Sequence, residues 1–195
     1  MAGNERFVDD GARHPRQDAT RRRSLANGQA PFATVFNCGD SRVASELLFD
    51  VGLGDIFVVR NAGHVVGELS LGSLEYGVGP LQTPVLVVLG HHGCGAVTAA
   101  AASHRTGKLP EGFIRDVVEL ILPSVMSAEL QDIREVDGIV AEHVRESMHR
   151  IIERSALIRT AVAAGRTAVI GATYDLAEGR VVLVDAIGQL RQSRR

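Results

Sequence analysis

Five short runs of apolar, β-branched residues punctuate this 195-residue chain and limit what it can fold into: "FATVFN" (32–37), "DIFVVR" (55–60), "PVLVVLG" (84–90), "TAVIGATY" (167–174) and "RVVLVDA" (180–186). The first four are continuous rather than alternating, which predicts strands covered on both faces of a mostly parallel sheet. The fifth follows the fourth after "AEG", and so short a link predicts an antiparallel edge strand. Helical stretches lie between, at 44–52, 69–79 and 95–105. The clearest is 138–164, where Val140, Val144, Met148, Ile151, Ile158 and Val162 recur at helical spacing, with Asp137 as N-cap and Gly165 as stop. Alternating strands and helices predict an α/β fold with crossover connections. Residues 4–26 are polar and predict arm-like helices interrupted around His14-Pro15. Too poor in apolar residues to build its own core, this arm is expected to pack on the body or on a partner subunit. With no internal repeat, low-complexity tract or linker, a single domain over 1–195 is expected, residues 1–28 forming the arm.

Composition removes several functions. The chain is 45% hydrophobic and 23% charged with a net charge of −2, ordinary for a soluble globular protein and without the basic excess of nucleic-acid binders. The one basic cluster, Arg21–Arg23, reads as a solvated or interface-facing helix surface. No apolar run approaches the roughly 20 residues of a membrane helix, and "MAGNERFVDDGARHPRQ" lacks the apolar stretch of a secretory signal. A cytoplasmic protein without membrane or nucleic-acid partners is expected. The two cysteines, Cys38 and Cys94, are then expected to be reduced, and such a pair is more often a metal or catalytic site than a disulfide.

Both cysteines stand at strand ends. Cys38 lies just past the first predicted strand, and His91 and Cys94 just past the third. Open α/β sheets bind ligands outside the carboxyl ends of their strands, so adjacency of those two strands would gather all three side chains. Two thiolates and an imidazole are a good zinc set, and three protein ligands leave one tetrahedral position open, the catalytic pattern. A structural zinc site or an iron–sulfur cluster would need a fourth such ligand. Asp40 is a conditional fourth ligand, or an acceptor for the proton of a metal-bound water. Arg42 can hold it off the metal through a bidentate ion pair. Zinc lowers the pKa of its water toward neutrality; two thiolates weaken that effect, so activity should rise at alkaline pH. The competing reading makes the cysteines inert buried thiols and Asp40–Arg42 a structural pair.

"CGDSRV" followed by "GHHGCGAV" resembles the β-class carbonic anhydrases, whose usual forms are C-x-D-S-R and H-x-x-C-G. The likeness extends from "RFVDDGARHP" through "GDIFVVRNAG" and "GSLEYGV" to "YDLAEGRVVLVD", and its flavour is bacterial, of an actinobacterial kind. The resemblance implies a parallel sheet of four strands with an added antiparallel strand, flanking helices and an N-terminal helical arm embracing a partner. It implies one zinc per chain and the reversible hydration of carbon dioxide to bicarbonate and a proton. Cys38, His91 and Cys94 take the metal-ligand positions, and Asp40 and Arg42 those of the dyad that orients the hydroxide or gates the metal. Gln29 takes the place of a glutamine that hydrogen-bonds substrate, and Phe57 and Tyr76 wall an apolar pocket formed between subunits. A homodimer is the implied minimal unit, and a dimer of dimers is common. Val35 stands where some members carry the tryptophan of an allosteric bicarbonate pocket, so that pocket is not expected here. His64 and His92, near the motifs, are candidates for shuttling protons, but read first as exposed histidines. Carbonyl sulfide or carbon disulfide is an alternative substrate, and a closed zinc- or bicarbonate-sensing module an alternative to catalysis. No H-x-E with P-C-x-x-C points to a nucleobase deaminase, and no G-x-G-x-x-G after the first strand points to a dinucleotide enzyme.

Overall fold

The computed structural model describes residues 1–189; the last six positions of the expected domain lie outside the described residues. Five strands form one sheet: β1 (Ala33–Cys38), β2 (Ile56–Asn61), β3 (Val85–His91), β4 (Ala168–Tyr174) and β5 (Val181–Ile187). Their order is β2-β1-β3-β4-β5. The first four are parallel, and β5 pairs antiparallel to β4. This is the expected α/β architecture, with each strand ending one residue later than the apolar runs suggest, except β4. The shift matters at the site: Cys38 and His91 are the last residues of their strands rather than the first residues of loops. β1 is buried throughout, whereas β2 and β5 sit at the edges and are partly exposed.

Three helices of the first half are α1 (Ala2–Val8), α2 (Ala19–Ser24) and α3 (Ser45–Leu48), and α4 (Glu68–Val78) and α5 (Gly95–Thr106) follow. The 44–52 stretch is helical for only one turn, because Asp50 turns to φ +47° and its carboxylate accepts from the backbone N–H groups of Arg13 and His14. The second half differs more. A helix absent from the sequence reading, α6 (Ile114–Leu130), buries Val118, Ile121, Val125 and Ala128. The long 138–164 stretch is two helices, α7 (Val136–Arg154) and α8 (Ala156–Ala163). They break at Ser155, whose hydroxyl donates to Glu75 at 2.6 Å and accepts from the N–H of Ile158, capping α8. Asp137 is not the N-cap of α7, which is Glu135; its carboxylate instead accepts from the N–H of Gly93 at 2.8 Å.

The sheet's two faces are dressed differently. On one, Phe36, Leu86, Val88 and Val169 pack against Leu74 of α4, Val144, Met148 and Ile151 of α7, and Ile158 of α8. Gly90 and Gly171 let α7 approach closely, since a Cβ at either would run into Val144. On the other face, Val35, Leu89 and Ala172 meet Leu48 and Phe7, and the N-terminal arm crosses only part of it. The arm is tied to its own body: Asn4 donates to the carbonyls of Leu48 and Gly179, and Arg6 pairs with Asp50. Arg16 and Arg21 both reach Asp55. Beside the arm a groove of about 560 Å³ remains, floored by Val35, Ile56, Val87 and Ala172.

Candidate metal centre

β1 and β3 are neighbours, with Asn37 beside Leu89, so their carboxyl ends bring Cys38 and His91 together. Cys94 joins them from the N-cap position of α5. One ligating atom from each lies within 4.8 Å of the others, and all three residues are buried. The donor set fits a metal ion on two grounds. His91 Nδ1 lies 2.9 Å from the carbonyl of His92, an acceptor only, so Nδ1 carries the proton and Nε2 presents its lone pair. That Nε2 is buried and has no hydrogen-bond partner among the described residues, a costly arrangement unless something else binds it. Both cysteines are free.

The electrostatics favour an anionic Cys38. Of the two thiols Cys38 ionises first, because Cys94 donates to it, with His91 and the N–H of Gly63 adding to the effect against its burial. The Gly63 N–H lies 3.3 Å from the Cys38 sulfur. Cys94 is pushed up by Cys38 and by burial, while the N–H groups of Ala96 and Val97 at the start of α5 pull it down. Burial disfavours a charged His91, but the Cys38 thiolate beside it outweighs burial and raises its pKa.

Asp40 faces this cluster with Oδ2 3.9 Å from His91 Nε2. Arg42 grips it from outside: Nε donates to Oδ1 at 2.9 Å and Nη2 to Oδ2 at 2.7 Å. This bidentate pair holds the Asp40 carboxyl far below the usual carboxylate range. Residues that the motifs did not single out for the site complete the frame. Arg60 donates to the carbonyls of Cys38 and Asp40, locking the turn between them, and Asp137 braces the His91–Cys94 turn through Gly93. Only the fold puts either there. His92 is half-buried beside Asp137 and Asp175. His64, expected at the surface, is fully buried, because the turn after β2 tucks it beneath α7.

The remaining three site candidates lie elsewhere in the chain. Gln29 is exposed ahead of β1. Phe57 and Tyr76 pack ring to ring at 5.8 Å. Phe57 pairs with Thr34, whereas Cys38 pairs with Asn61, so Phe57 stands four residues, about 13 Å, down the sheet from the thiol of its own chain.

Fold and cluster define a class: a parallel α/β protein with a place for one metal ion on two sulfurs and an imidazole. The family profile described as carbonic anhydrase matches residues 33–181. Carbonic anhydrase 2 of Mycobacterium tuberculosis is 49% identical over 188 residues, covering 96% of this chain and 91% of that protein. Among solved structures, a Coccomyxa β-carbonic anhydrase in complex with acetazolamide is similar with a TM-score of 0.76 and 27% identity, over 95% of this chain and 85% of that one. A structure from a study of two tetrameric β-carbonic anhydrases of Sordaria macrospora shares the fold, with a TM-score of 0.77 and 23% identity over 96% of each chain. The chain belongs to the carbonic anhydrase family and has the fold of its β class.

Proposed function

We propose that this chain is a zinc-dependent carbonic anhydrase that interconverts carbon dioxide and bicarbonate, with Cys38, His91 and Cys94 as ligands to one zinc ion per chain. The observation that carries this reading is the buried, unpartnered His91 Nε2 facing two free thiols. When bound, zinc supplies the Lewis acidity that makes water a nucleophile near neutral pH. The chain's own residues do the rest. Asp40, at the mouth of the cluster, would accept a hydrogen bond from the attacking oxygen and so orient it. Arg42 keeps both carboxylate oxygens engaged, which limits capture of the metal by Asp40 and favours an open fourth position. Arg60 fixes the backbone between Cys38 and Asp40, so ligand and orienting group keep one spacing.

Substrate contacts are assigned to Gln29, Phe57 and Tyr76 of a partner subunit in a homodimer or dimer of dimers. Two features support this. Phe57 stands far along the sheet from its own cluster, which favours its serving the cluster of a second subunit. The apolar groove beside the arm offers a surface on which a second chain can dock. The chain is read as one domain with residues 1–28 as its arm. No helix among the described residues is long and apolar enough to cross a membrane, and two free thiols suit the reducing cytoplasm.

Stopped-flow carbon dioxide hydration on zinc-quantified protein tests the assignment. Cys38→Ala and His91→Ala are expected to lose zinc and turnover together. An active Cys38→Ala protein with one zinc per chain would sink the ligand assignment. Full zinc without turnover at any pH would favour a closed, non-catalytic site.

A further inference from the structure

Behind the metal cluster lies a buried chain of hydrogen bonds that the reaction as described does not use. His143 of α7 is 2% exposed. Its Nε2 lies 2.9 Å from the carbonyl of Gly63, and its Nδ1 lies 2.8 Å from the hydroxyl of Ser124 on α6. A carbonyl only accepts, so Nε2 carries the proton. Burial keeps the ring neutral, lowering its pKa to about 4 against the pull of the Gly63 carbonyl. Nδ1 is therefore the acceptor, and Ser124 donates to it. The far end of the chain is the metal site: Gly63 presents its own N–H to the Cys38 sulfur.

Gly63 can do both only in a left-handed conformation, φ +67° and ψ +18°, which favours glycine. Its neighbours also exclude a side chain, since a Cβ would come within 2.9 Å of Ala96 and closer still to Ile121. Asn61 braces the ends of this turn by accepting from the N–H of Val65 and donating to its carbonyl, but Gly63 itself has no side chain, and at its carbonyl the turn is gripped by His143. His64, whose ring centroid is 4.5 Å from that of His143, has neither nitrogen hydrogen-bonded among the described residues. It packs against the ring without competing for the Gly63 carbonyl.

We infer that His143, fixed by Ser124, is a positioning residue for Cys38: it holds the Gly63 turn so that the Gly63 N–H stays on the sulfur and limits the charge that this thiolate gives a bound metal. The inference rests on the metal-site reading above. A hydrogen bond to a ligating sulfur draws charge from it, which leaves the metal the stronger Lewis acid, and partners of this kind are commonly worth 10–100-fold in metal affinity or activity.

The test uses the full-length protein loaded with cobalt(II), whose near-ultraviolet sulfur-to-metal charge-transfer band reports the thiolates directly, together with the rate of zinc release to a chelator. His143→Phe keeps the ring and removes the donor. It is expected to move the band to longer wavelength, and to speed zinc release by about tenfold because the freed, more basic sulfur takes a proton more readily and is no longer held in place by the turn. His143→Gln, whose amide nitrogen takes the place of Nε2, is expected to restore both readings. Should His143→Phe fail to fold, Ser124→Ala is read instead and should shift the band in the same direction by less. A folded His143→Phe protein, or Ser124→Ala in its place, with unmoved band and release rate overturns the inference, even if its Tm falls. Equal shifts in the Phe and Gln variants overturn it too, because packing alone would then explain them. A wild-type protein without a thiolate–cobalt band would refute the metal site itself, whereas a normal wild-type band with insensitive variants refutes only the role of His143.

Discussion

Replacing Gly90 by alanine tests how closely α7 grips the strand that ends in His91. A Cβ at this position would sit 2.7 Å from Val140 Cγ1 and 2.8 Å from Val144 Cγ2. Both valines are fully buried, and a helical valine has one strongly preferred rotamer. Neither methyl can swing aside, so the helix or the strand must move. Overpacking of this kind costs about 1–3 kcal/mol. In a chain of this length each kcal/mol lowers Tm by about 2–4 °C, so Gly90→Ala is expected to melt about 2–12 °C below wild type at equal protein and zinc concentration. The cause can be isolated with Val140→Ala, which is destabilising alone but removes the closer clash. The double variant should be more stable than the sum of the single effects by about 1 kcal/mol, within the range for residues in contact. Thermal and urea unfolding followed by circular dichroism give both quantities. An unchanged Tm in Gly90→Ala, or strict additivity with Val140→Ala, would refute the close-approach argument.

Asp40→Asn should keep about one zinc per chain while carbon dioxide hydration falls by about 100-fold, in the range of a lost acid–base group; a rate equal to wild type would remove Asp40 from the mechanism. The arm should come loose in acid. Burial of Asp50 works against its charge, but Arg6 and the N–H groups of Arg13 and His14 outweigh that and bring its pKa down to about 2. Its unfolded value is about 3.9, so its contribution to stability is complete above about pH 4 and is lost as pH falls through about 2. Asp50→Asn should therefore lower Tm at pH 7 and converge on wild type near pH 2; a constant difference over that range would refute the assignment.

The strands were legible because a sheet covered on both faces demands continuous apolar, β-branched runs, and this chain has them. Their order was half legible: the tight "AEG" link predicts the β4–β5 hairpin, while the placing of β1 between β2 and β3 is seen only in the fold. Helix α6 escaped notice although Val118, Ile121, Val125 and Ala128 carry its period. Pro123 interrupts the stretch, and the structure tolerates it on the exposed side of the helix. The break at Ser155 was hidden because the apolar period runs on across it, and only the contact with Glu75 from a distant helix marks it. At the site, the three candidate ligands stand in two compact motifs, and their gathering could be anticipated from the sequence. The groups that hold them could not. Arg60, Asp137 and His143 act through backbone atoms of Cys38, Asp40, Gly93 and Gly63, across sequence separations that no local pattern records.

The central claim is that Cys38, His91 and Cys94 together hold the metal. X-ray absorption at the zinc edge on the purified protein measures this directly. The account predicts two sulfur neighbours at about 2.3 Å with the remaining scatterers nitrogen or oxygen, and one sulfur fewer in whatever zinc Cys38→Ser retains. A first shell without sulfur, or one unchanged by Cys38→Ser, would contradict it.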